Sequence, residues 1–196
     1  MAKRREEVRA YHEAGHAVAA RVLGVAITYA SLFPTDGTNE GNVLTRSAAA
    51  GAKEGNDVAR KRRAFEIDAI VSLAGPHAQL RRRPTTDIKR ASRAEWISDL
   101  ESARQSTVKA ALLETNPDQW FDQDTRITLS ADDVAEADRI YERVEAETRT
   151  LVEENWPAIE RVASALLNRP LLLCEEIDVL IAGQRAIGSK LGPEPR

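Results

Sequence analysis

Apolar positions recur at helical spacing over residues 4–23, where Val8, Tyr11, Gly15, Val18 and Val22 fall on one stripe and Gly24 marks the stop. The pattern then changes. Thr28–Phe33 is short and β-compatible, Pro34-Thr35-Asp36-Gly37 is a turn signal, and Gly41–Arg46 reads as a second strand, so a small antiparallel hairpin is expected beside the first helix. Residues 47–57 are small and polar and read as a loop. Helical periodicity resumes from Val58 to about Leu80, with Phe65, Ile70, Leu73 and Ala74 inward, and Gly75-Pro76 predicts a kink or break. Arg81-Arg82-Arg83-Pro84 reads as a basic, non-helical corner.

A further helix is expected from about Ser92 to Leu113, with Trp96, Leu100, Ala103 and Thr107 on one stripe. Residues 114–129 read as irregular. Two amphipathic helices follow, Asp132–Asn155 and Trp156–Leu167, divided at Pro157, which suits a helix's first turn. A last helix, Glu175–Ala182, stops at Gly183 ahead of a Gly/Pro-rich tail expected to fray. The fold class is therefore mainly α with one small β-hairpin. One domain over 1–196 is expected, with residues 1–113 carrying the hairpin, 114–185 a helical part and 186–196 a disordered tail.

Composition narrows the picture. Aromatic residues make up only 5% of the 196, so the core must be built from Ala, Leu, Val and Ile. A single cysteine, Cys174, excludes a disulfide framework and a multi-cysteine zinc site. With no signal peptide and no apolar run of about 18 residues, a soluble, cytoplasmic protein without a membrane segment is expected. The net charge of −3 conceals a split, +6 over residues 1–98 and −9 over 99–196. Arg60-Lys61-Arg62-Arg63 and Arg81-Arg82-Arg83 raise nucleic-acid binding, but no recognition-helix motif accompanies them and no aromatics are interleaved for stacking. They read as solvated faces and corners, or as a surface for the acidic half of another subunit.

The chemistry-bearing feature is His12-Glu13-Ala14-Gly15-His16. Residues four apart share a helix face, so His12 and His16 can grip one metal ion. Imidazole suits zinc, and Glu13, turned about 100° away, can accept a proton from water and pass it to a leaving amine. Gly15 costs about 1 kcal/mol of helix propensity relative to Ala, which implies that a backbone or strand packs closely against it. A catalytic zinc usually takes three protein ligands. His77, just past Gly75-Pro76, and Asp99, among apolar neighbours, are both candidates for the third, and spacing alone does not separate them. Cys174, within Leu171-Leu172-Leu173-Cys174, reads instead as a small buried hydrophobe.

These residues resemble the zinc peptidase domain of FtsH-type ATP-dependent proteases. The likeness runs in order through Tyr11–Val18, Ile67–Gly75, Ser98–Ala103, Val152–Asn155 to Leu166-Leu167, and Glu175–Gly183, and so covers nearly the whole chain. It implies that His12, His16 and Asp99 are zinc ligands and Glu13 the general base, which places Asp99 ahead of His77. Three departures stand out. Where the family has Arg-Ala-Ala-Glu, this chain has Pro76-His77-Ala78-Gln79, an amide in place of a carboxylate. Where Thr-Gly-Ala precedes the ligand Asp, it has Arg93-Ala94-Glu95-Trp96, and Trp96 would narrow or shield the metal site. There is no phosphate-binding Gly-Lys-Ser/Thr loop, so no ATPase domain is expected.

The expected function is a stand-alone zinc-dependent endopeptidase acting on peptides or unfolded protein, or served by an ATPase or adaptor in trans. The hairpin would offer an edge strand for an extended peptide. The alternative is a catalytically weak or inactive zinc-binding regulatory module on the same scaffold. The resemblance further implies a homo-oligomer, a hexameric ring in the family.

Overall fold

The computed structural model describes residues 2–33, 42–52, 57–83, 96–116 and 128–183. In chain order these form α1 (Ala2–Val22), β1 (Ile27–Ser31), β2 (Asn42–Thr45), α2 (Ala48–Ala52), α3 (Val58–Arg82), α4 (Ile97–Thr115), α5 (Ala131–Glu154), α6 (Trp156–Asn168), β3 (Leu171–Leu173) and α7 (Cys174–Ile181). The protein is mainly helical with a small antiparallel sheet. No described helix is long and apolar enough to cross a membrane. The expected turn at 34–37 and the tail at 186–196 lie outside the described residues.

Helix α1 packs between α3 and α6, and α3 also packs on α4 and α5. Small side chains make the close approach feasible: Ala10, Ala14, Ala17, Ala69, Ala74 and Ala78 are all buried. Gly15 lies where α1 crosses α3. A Cβ added there would stand 2.5 Å from the Ala74 carbonyl oxygen and 2.7 Å from the Ala78 Cβ. The close neighbour inferred from sequence is thus the backbone of α3. Beside this crossing, Tyr11 stacks on Trp156 at 5.4 Å, with the Arg82 guanidinium over Tyr11 and that of Arg81 over Trp156, which ties α1, α3 and α6 together.

Helix ends follow local chemistry where the sequence signals it. The Asp57 carboxylate accepts the Arg60 N–H at the start of α3. Ser130 and Asp133 form a capping box at the start of α5. Pro157 occupies the first turn of α6.

Three expectations need correction, and the expected hairpin gains a third strand. Helix α3 is not broken at Gly75-Pro76; it runs on through Arg82, and Arg83 is its C-cap. A proline inside a helix costs about 3 kcal/mol, but Ile70, Leu73, Ala74, Gly75, Pro76 and Ala78 are all buried there, and that packing outweighs one lost backbone bond. The expected loop at 47–57 contains α2, capped from a distance: Asp68 of α3 accepts the N–H groups of Ala48 and Ala49 at 2.7 and 3.2 Å. The expected hairpin exists as β1 and β2, but β1 is the central strand of three, in the order β2-β1-β3. Strand β3 is too short for alternation to reveal it. Cys174 is only half-buried and opens α7.

The charge split is met largely within the chain. Arg62 pairs with Glu66, Glu114 and Glu136, Arg63 with Glu66 and Glu147, and Arg143 with Glu66. Arg81 pairs with Glu153, Arg82 with Glu7 and Arg104 with Asp138. Basic residues of the first half therefore meet acids of the second across the α3, α4 and α5 interfaces. The complementarity that suggested another subunit is in good part internal.

Candidate metal centre

Helix α1 places His12 and His16 one turn apart, and the first turn of α4 brings Asp99 to them. The two Nε2 atoms are 3.1 Å apart. Asp99 Oδ2 is 3.1 Å from Nε2 of His12, and Oδ1 is 3.6 Å from Nε2 of His16.

The hydrogen bonds on the far side of each ring define which nitrogen faces the cluster. His16 Nδ1 is 2.7 Å from the Val71 carbonyl, which only accepts, so Nδ1 carries the hydrogen. His12 Nδ1 is 3.1 Å from Gln79 Oε1. The Trp96 indole N–H, a donor only, meets that same oxygen at 2.9 Å, so the Gln79 atom is an acceptor and His12 Nδ1 likewise carries its hydrogen. Neutral His12 and His16 therefore both point Nε2 lone pairs at a carboxylate. Three acceptors converge, and only a cation reconciles them: a proton or a metal ion.

In the absence of metal a proton serves. Burial opposes a charge on His16, but the adjacent Asp99 carboxylate, with help from Glu13 and the Val71 carbonyl, pushes its pKa up to about 9. Burial likewise opposes the Asp99 charge, and the two imidazoles override it and hold the carboxyl well below the usual range. Two histidines and one carboxylate, oriented from behind, form a donor set that could hold a metal ion.

Glu13 lies next to the cluster and is only 4% exposed. Burial raises its pKa, against the attraction of His12, His16 and Arg9. No hydrogen bond joins it to a described residue.

The face of α3 opposite His12 and His16 is built from residues four apart. Val71 accepts from His16, Gln79 accepts from His12, and Gly75 between them makes room for the His16 ring. Sequence reasoning marked Gln79 only as a departure and missed Val71 altogether. The spacing 71, 75, 79 was the available signal, since those positions share one helical face. Trp96 is 5% exposed, and its indole N–H is tied up with Gln79. His77 lies away from the cluster, with Nε2 3.8 Å from Glu145 of α5, and burial lowers its pKa. Among the described residues the structure therefore brings together His12, His16 and Asp99, and neither His77 nor Cys174 joins them.

No family model matches the chain.

Proposed function

We propose that this protein is a zinc-dependent metallopeptidase of the kind that the FtsH-type resemblance implies, with His12, His16 and Asp99 as the metal ligands and Glu13 as the general base. The observation that carries the reading is the convergence of two Nε2 lone pairs and the Asp99 carboxylate, each imidazole oriented from behind, beside a buried carboxyl with no hydrogen bond to a described residue. Bound zinc would polarise a peptide carbonyl and acidify water. Glu13 would take a proton from that water and deliver it to the departing amine. The hydroxide so formed would add to the carbonyl carbon, and the C–N bond would break as the amine takes the proton held by Glu13.

An extended peptide would pair with an edge of the sheet. Because β1 is central, that edge belongs to β2 or β3, and β2 packs against α1. Peptides and unfolded segments are the proposed substrates, with an ATPase or adaptor in trans, and self-association, as further proposals.

Zinc content by elemental mass analysis, together with cleavage of a peptide library by wild type and Glu13→Gln, tests the reading. Stoichiometric zinc with cleavage in the wild type alone supports it. Absence of zinc binding overturns it. Stoichiometric zinc without cleavage supports the regulatory module instead.

A further inference from the structure

We propose that Gln79 and Trp96 form a positioning latch that sets the third metal-binding side chain against the first. The inference rests on His12, His16 and Asp99 acting as metal ligands.

The amide oxygen of Gln79 accepts two N–H groups, from Trp96 Nε1 at 2.9 Å and from His12 Nδ1 at 3.1 Å. A carbonyl oxygen has two lone pairs, so both are used. Each donor matters to a different ligand. The bond from His12 keeps the hydrogen on Nδ1 and leaves Nε2 facing the cluster. Trp96 is the N-cap residue of α4; its carbonyl accepts the Leu100 N–H at 2.9 Å, and Asp99 lies in the turn so closed.

Trp96 contributes no side-chain cap to α4. Its indole reaches across to α3 instead, and at 5% exposure an unpaired N–H there would be left without water. The first turn of α4 is therefore held to the Gln79 oxygen. One atom thus sets both where Asp99 stands and how the His12 ring is turned. The amide oxygen suits this task because its two lone pairs serve both donors. Leucine at 79 would lose both bonds. Glutamate would keep both acceptor sites.

The test uses the full chain as wild type, Trp96→Phe, Gln79→Leu, Gln79→Glu and the double variant Trp96→Phe/Gln79→Leu. Zinc affinity is measured by chelator competition. The visible absorption of the cobalt(II) form reports ligand geometry, and thermal melting of the metal-free forms reports folding. We expect Trp96→Phe and Gln79→Leu each to weaken zinc binding about 10–100-fold and to alter the cobalt spectrum. The double variant should be little worse than either single one, because all three break one latch. Gln79→Glu should restore tight binding and the wild-type cobalt spectrum. Should Gln79→Leu fail to fold, Trp96→Phe carries the test: it keeps an aromatic ring while removing the N–H donor, and the melting of its metal-free form reports the cost of the lost ring volume. Wild-type affinity and spectrum in Trp96→Phe would overturn the latch, as would losses that multiply in the double variant. A wild type that binds no metal would instead overturn the metal reading itself, and the latch with it.

Discussion

Gly75 stands against the imidazole of His16 so closely that a Cβ at this position would lie 2.3 Å from Nε2, the nitrogen that faces Asp99. The absence of a side chain on α3 is therefore what lets His16 occupy its place. Gly75→Ala is expected to displace the ring, to abolish tight metal binding and to destabilise the fold by about 1–3 kcal/mol. Gly15→Ala meets the Ala74 backbone instead and should cost similar stability. Urea denaturation and zinc titration of both variants check this; tight zinc binding by Gly75→Ala would refute it.

Glu13 makes no hydrogen bond with a described residue and is not one of the three clustered ligand groups. Glu13→Gln is expected to lower kcat/KM on peptides by about 10²–10⁴-fold, with zinc affinity close to wild type. A variant that lost both together would make Glu13 a structural residue.

The His16–Asp99 pair makes the metal-free protein sensitive to pH. Folded His16 holds its proton up to about 9, above the 6.5 of an unperturbed imidazole, so between those values the folded state binds more protons than the unfolded one. This contribution to stability is fully present below 6.5 and is lost as pH rises through 9. Asp99 acts at the other end. Its depressed pKa contributes stability above the usual 3.8 that is lost as pH falls. Melting of the chelator-treated protein should therefore weaken from pH 6.5 to 9, and zinc affinity should rise over the same interval as the proton that zinc displaces becomes easier to remove. A melting temperature that climbs between pH 6.5 and 9 would contradict this.

Glu66, with only 6% of its side chain exposed, joins Arg62, Arg63 and Arg143. Glu66→Leu is expected to cost about 2–3 kcal/mol, below the loss for a fully buried pair because Arg63 and Arg143 reach solvent. Zinc binding should be unchanged, since this network and the His12–His16–Asp99 cluster share no residue. Denaturant melts with a zinc titration of the same variant separate the two effects.

Much of the architecture was legible along the chain. Periodicity located the long helices and the hairpin, Pro157 acted locally as a helix-start residue, and Gly15 announced a close neighbour. The misreadings share a cause. Pro76 breaks a helix only when nothing else holds it, α2 is capped by a carboxylate 20 residues away, and the three residues of β3 are a strand because β1 is there to pair with them.

By itself the sequence determined the histidine pair and its neighbouring acid, because i and i+4 on a helix share a face whatever surrounds them. It also determined the mainly helical class and the Ala-rich core. Spacing left Asp99 and His77 open and the resemblance favoured Asp99; the tertiary structure brings Asp99 to that pair, and it alone decided which nitrogen of each ring faces inward and that the charge split is met largely between helices of one chain. Those outcomes depend on distances between segments far apart along the chain, and these are set when α1, α3 and α4 pack, through contacts such as a carbonyl at Val71 and an amide at Gln79.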